Sequence, residues 1–197
     1  STLNLPIMAE YLNGTLTVAD GGTVNAENLT NVSGSILHLT PQTNVTVGML
    51  SQIDNARITV SDGKTFNQVT APSYSLTVNP SSTTLFSAAD PGSVLNLSSL
   101  GSISSLVSTS GTQTIEAASG GTVDLSGVAS VTKNGQGILR FHVIDSGSTR
   151  NLSSLQSITG SGSTLLDLEN NSTLTLDALI NSDRLSITVD GSSTMNL

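Results

Sequence analysis

The sequence predicts an all-β fold, a single-stranded right-handed parallel β-helix (solenoid) of about eight coils of 20–29 residues that takes in residues 1–197 as one domain. Three observations carry the prediction. Turn residues recur along the whole length, at Asp20-Gly21-Gly22, Asp62-Gly63, Asp90-Pro91-Gly92, Gly120-Gly121, Ser146-Gly147, Asn170-Asn171 and Asp190-Gly191. Gly and Asn accept positive φ at little cost and Asp folds back onto nearby amides, so each cluster marks a corner in an extended chain. A pair of apolar residues two apart returns once between corners. Thr, Val and Ile fall on alternating positions while Ala, Lys, Glu and Arg are scarce, which favours pleated strands and leaves almost no helix.

Coil starts near Gly22, Thr43, Gly63, Gly92, Gly121, Gly147, Asn171 and Gly191 lie 21, 20, 29, 29, 26, 24 and 20 residues apart. The plan is plainest in GSTRNLSSLQSITGSGSTLLDLENN (147–171) and NSTLTLDALINSDRLSITVDG (171–191). After each corner comes a short strand, such as Thr23-Val24-Asn25, Val94-Leu95-Asn96-Leu97, Thr122-Val123-Asp124-Leu125 or Leu174-Thr175-Leu176. A second apolar pair follows, as in Leu100 and Ile103, Val128 and Val131, or Leu155 and Ile158. A closing strand then carries Leu16/Val18, Leu37/Leu39, Ile58/Val60, Leu76/Val78, Phe141/Val143, Leu166/Leu168 or Leu185/Ile187. Period two sets each pair on one face, and repetition once per coil stacks the pairs into an apolar column.

An antiparallel sandwich has no reason to repeat the same corner and the same Leu in every unit. A leucine-rich repeat, suggested by Asn151-Leu152-Ser153-Ser154-Leu155, keeps a tighter period than the 29-residue intervals. The segments GTVDLSGVASV, GSTRNLSSLQSIT and NSTLTLDALIN make the chain resemble the right-handed parallel β-helices of bacterial surface adhesins and of pectate-lyase-like carbohydrate proteins. The resemblance covers the full length and includes no catalytic signature. Right-handedness follows from the bias of parallel crossovers. Coils stacked at about 4.8 Å would make a rod of about 40 Å.

The middle coils depart from the plan. Segments 79–91 and 107–120 are longer than a corner and are expected to emerge as loops on one face, where a binding surface would lie. The register leaves room for an additional coil between Thr77 and Glu116. Leu197 stops as a new coil begins, and no terminal helix covers the strand edges, so the chain is expected to be a fragment of a longer protein.

Composition excludes several function classes. A net charge of -8 with six Lys plus Arg cannot build a basic track, so nucleic acid is not an expected partner. No apolar run reaches the roughly 20 residues of a membrane span. The absence of Cys removes disulfides, thiolate nucleophiles and Cys-ligated metals. The isolated domain is expected to be a monomer without a cofactor.

Catalysis on such a fold needs clustered acids on one outer face, one to protonate a leaving group and one to activate a nucleophile. The corner Asp residues are explained by turn geometry. The residue between the two apolar members of each closing strand points outward and reads Thr17, His38, Thr59, Thr77, then Glu116, His142, Asp167 and Ser186. Arg140 and Arg184 are placed one column over. A surface ladder of ion pairs and hydrogen bonds is the plainer expectation here. The sharper one is a general acid-base or metal role for His142, Asp167 and Glu116, with no metal site assigned. Tandem calcium-binding nonapeptides are absent, so Gly21-Gly22 and Gly120-Gly121 read as turns. With no Trp, the aromatic candidates for stacking on a sugar are Tyr74 and Phe86, whose alternative is to fill corners of the core. The resemblance implies a structural or adhesive module, extracellular or on the cell surface, with polysaccharide or a host glycan as ligand. Its alternative is a polysaccharide lyase, a glycoside hydrolase or an inactive relative.

Overall fold

The structure is a computed structural model that describes residues 1–18, 21–40, 44–78, 81–106 and 110–196. Asp20 and Thr43 of the expected corners, Leu197, and the segments 79–80 and 107–109 lie outside the described residues. There is no helix among the described residues, and every strand pairing between them is parallel. The chain is a parallel β-helix.

Strands alternate between two faces in the first coils, and from Ser73 onward three faces alternate in order. The longest sheet has eight strands: Thr15–Val18, Ile36–Leu39, Arg57–Val60, Thr83–Ala89, Thr112–Ala118, Ile138–Ile144, Ser163–Glu169 and Leu185–Val189. A second face carries Thr2–Asn4, Thr23–Ala26 and Asn44–Val47 in one sheet, then six strands from Thr65–Phe66 to Thr194–Asn196 in another. A third face runs in five strands from Ser73–Leu76 to Asn181–Ser182.

Register in the long sheet stacks Leu16, Leu37, Ile58, Phe86, Ile115, Phe141, Leu166 and Ile187 into one inward column. A second column holds Val18, Leu39, Val60, Ala88, Ala117, Val143, Leu168 and Val189. Inward columns from all three faces meet in one continuous apolar core. Parallel stacking puts like over like, so each residue packs against its own counterpart one coil away.

The corners are where the turn residues stand. Asp62 and Gly63, Asp90 and Gly92, Ser119 and Gly120, Asp145 and Gly147, and Asn170 and Asn171 all have positive φ. Gly121 is required for a different reason: a Cβ there would run into the backbone carbonyl of Ala88. Asn96, Asp124 and Asn151 make the next bend, each accepting a hydrogen bond from the amide two residues on, at 3.0, 2.9 and 3.0 Å. Those side-chain turns, with Leu97, Leu125 and Leu152 buried behind them, explain the asparagine-leucine step without a leucine-rich repeat.

Two expectations are corrected. The fourth closing pair is Phe86/Ala88 and not Leu76/Val78, since Leu76 belongs to the third face and Val78 is 49% exposed. The last pair is Ile187/Val189 and not Leu185/Ile187, because Leu185 pairs with Thr164. The first slip follows from the small inward Ala88, and in the second the alternation runs on through Leu185, Ile187 and Val189, so that register alone selects the pair. The described parts of 79–91 and 107–120 are accordingly mostly strands of the long sheet. The middle coils are longer partly because their long-sheet strands have seven residues where the first three have four. Among the described residues, Thr83–Ala89 is the one long-sheet strand between Arg57–Val60 and Thr112–Ala118.

Tyr74 and Phe86 are also corrected as ligand-facing residues. They are 1% and 0% exposed, and their rings meet edge to face with centroids 4.7 Å apart. Tyr74 donates its hydroxyl to the Ala56 carbonyl at 3.1 Å, and burial pushes that phenol well above its usual range. Both rings are core.

Candidate functional site

The seven-residue strands of the long sheet present a broad outer face. Register places Ser87, Glu116, His142, Asp167 and Thr188 in its central outward column, continuing from Thr17, His38 and Thr59. Ser87 and Thr188 thus replace the expected Thr77 and Ser186, for the same reason that the apolar pairs moved. Glu116, His142 and Asp167 stand where the periodicity predicts.

Their side chains form one polar ledge. His142 Nδ1 lies 3.0 Å from Glu116 Oε2, and His142 Nε2 lies 3.5 Å from Glu169 Oε1. Arg140 donates from Nε to Asp167 Oδ2 at 3.0 Å, again from its terminal nitrogen to the same oxygen, and to Glu169 Oε1 at 3.3 Å. Although the column faces outward, His142 and Asp167 are each only 7% exposed, with Arg140 hydrogen-bonded to Asp167 and Glu169 beside the imidazole. The hydrogen bond to His142 holds the Glu116 carboxyl below its usual range against the opposing effect of burial, with help from the charges of His142, Arg150 and Arg140.

Beside the ledge lies an open groove of about 640 Å³. Hydroxyls of Ser82, Thr83, Thr84, Thr112 and Thr114 line one part, the aliphatic side chains of Ile138 and Leu165 another, and Arg140 and Asp167 join it to the ledge. The strand at its edge is bulged: the register shifts between Thr114 and Ile115, so that Leu85 is an extra residue in Thr83–Ala89. The bulge buries Leu85 and Phe86 together and leaves Thr83 and Thr84 partly exposed at the groove.

Arg184 does not share the column of Arg140, which runs through Thr114, Leu165 and Ser186. It sits exposed at a positive-φ bend before Leu185, so that expectation is corrected as well. Two residues escaped the sequence reading. Glu169 belongs to the ledge, and its spacing of two from Asp167 is the signal that would have found it. Arg150 occupies an inward position between Val123 and Leu174, fully buried, with its guanidinium 5.6 Å from the Phe141 ring centroid and no hydrogen bond from any of its three nitrogens. Burial pushes its pKa down to about 9, opposed in part by the charge of Glu116. The chain matches no family model, no curated protein and no solved structure.

Proposed function

We propose that the chain is a non-enzymatic structural and adhesive β-helix module of a secreted or cell-surface bacterial protein, and that it binds polysaccharide or a host glycan along its long sheet. The observation that supports this reading is the groove of about 640 Å³ with its row of hydroxyls, aliphatic floor and charged rim. Hydroxyls in parallel register can exchange hydrogen bonds with successive sugar hydroxyls, while Ile138 and Leu165 offer an apolar surface to the ring face. The bacterial and surface assignment rests on the resemblance of the repeats.

A glycan array spanning neutral and acidic polysaccharides, followed by calorimetry on the hits, tests it. The expected result is saturable binding that is lost in Thr114→Arg, which fills the groove from an outward position and leaves the circular dichroism unchanged. Failure of every glycan class to bind the parent chain would overturn the reading.

One observation favours a second reading, a carbohydrate-active enzyme. The Glu116–His142 pair lies on the same face as the groove, and Asp167 borders both. Against it, Asp167 is already neutralised by Arg140. Release of reducing ends or unsaturated product from a bound polysaccharide, abolished in His142→Ala, would replace the binding reading with this one.

A further inference from the structure

The ledge, which shares Arg140 and Asp167 with the groove, carries a second chemistry. We propose that His142, Asp167 and Glu169 bind one divalent first-row transition cation of the zinc class, with Glu116 orienting the imidazole from behind. The ligand-capable atoms of the three residues all lie within 4.8 Å of one another. A tetrahedral ion with bonds of about 2.1 Å sets its donors about 3.4 Å apart. The 3.5 Å from His142 Nε2 to Glu169 Oε1 is therefore one edge already in place. Small side-chain rotations close the rest, and Glu169, with its side chain 40% exposed, has room to make them once Arg140 lets go.

A second observation points to a cation independently of the acidic cluster. His142 Nε2 is shielded from solvent and has no hydrogen-bond partner, in a residue that is only 7% exposed. In the neutral tautomer whose Nδ1–H faces the Glu116 carboxylate, the Nε2 lone pair is directed at Glu169 Oε1. That arrangement is repulsive until a positive ion stands between them. Two carboxylates balance a divalent charge, and an imidazole donor selects zinc and its row over calcium, which takes six to eight oxygens. Arg140 holds the same two carboxylates in the metal-free ledge and is the built-in competitor. Its release on metal binding would swing the guanidinium into the adjoining groove. The competing state is an imidazolium that donates from both nitrogens, to Glu116 and Glu169, and takes no metal.

The full chain, freed of metal with a chelator and exchanged into chelator-free buffer, is titrated with zinc chloride by calorimetry and with cobalt(II) by visible absorption. The expected result is one ion per chain with cobalt bands of low coordination number. Affinity should fall at least tenfold in Asp167→Asn and Glu169→Gln, and by about 10–100-fold in Glu116→Gln, which removes the charge and weakens the hydrogen bond behind the imidazole. Arg140→Gln should tighten binding. His38→Ala, whose imidazole is paired with Thr59 Oγ1 at 2.7 Å, should leave it unchanged. Absence of saturable zinc binding in the parent chain, or binding that survives in Asp167→Asn and Glu169→Gln and disappears in His38→Ala, would overturn the proposal. The Asp167→Asn and Glu169→Gln variants preserve side-chain shape, so they decide the matter even where a truncation of His142 fails to fold.

Discussion

Arg150 stands in an inward column whose other members include Leu95, Val123 and Leu174, and the position deprives its guanidinium of every hydrogen-bond partner. Stacking on Phe141 offsets part of that cost, since a desolvated cation over a ring face is attracted by its quadrupole. We expect Arg150→Met to raise stability by about 1–4 kcal/mol, measured by urea unfolding at neutral pH. The sign with pH follows from the lowered pKa. Below about 9 the guanidinium is charged in both folded and unfolded chains, and the full cost of burial is present. As pH rises through about 9 the folded form releases its proton before the unfolded form does, stability rises, and the gap to Arg150→Met narrows. A gap that widens with pH would contradict this. Glycines divide in the same local way. Gly121→Ala should cost about 1–3 kcal/mol, because its Cβ would meet the Ala88 carbonyl. Gly191→Ala, with nothing within 4 Å, should change the thermal midpoint hardly at all.

At the scale of elements, a coil from Thr65 onward is held by two kinds of bend and three strands, and each can be probed separately. Asp124→Ala removes the acceptor for the Ser126 amide and should cost about 1 kcal/mol, while Asp124→Asn keeps the bend and most of the stability. Equal loss in both would show that charge, and not the turn, is what matters there. Packing within one column also varies along the axis. Val143 is fully buried, whereas Val189, at the end of the same column, is 39% exposed because only one strand flanks it. Val143→Thr should therefore cost about 1–3 kcal/mol and Val189→Thr less than about 0.5, read from denaturant midpoints.

For the whole molecule, stability is a sum over coils and over the contacts between neighbours. Interior coils have two neighbours and terminal coils one, which is visible in the 43% exposure of Ile187 against the complete burial of Leu166 one coil earlier. Hydrogen exchange followed by mass spectrometry should accordingly be slowest across 86–168 and fastest in 1–18 and 181–196, with no second slow block. Uniform protection from end to end would argue that the chain unfolds as a single unit.

Strand existence, the parallel solenoid, the corner positions and the outward column of Glu116, His142 and Asp167 were all legible in the sequence, because period-two patterning and turn chemistry are local properties of the chain. The spacing of two between Asp167 and Glu169, which puts both carboxylates on one side of the strand, is equally local. Tertiary structure alone decided which strand closes the fourth coil, since Ala88 and Ala117 make an inward column too weakly apolar to announce itself. It also decided that Tyr74 and Phe86 face each other in the core, that a bulge opens the groove beside Thr114, and that Arg140 spans Asp167 and Glu169. The long-sheet outcomes depend on register between residues 25 or more apart in the chain, and the meeting of Tyr74 with Phe86 depends on two faces closing on one core; both are settled by how coils pack rather than by local sequence.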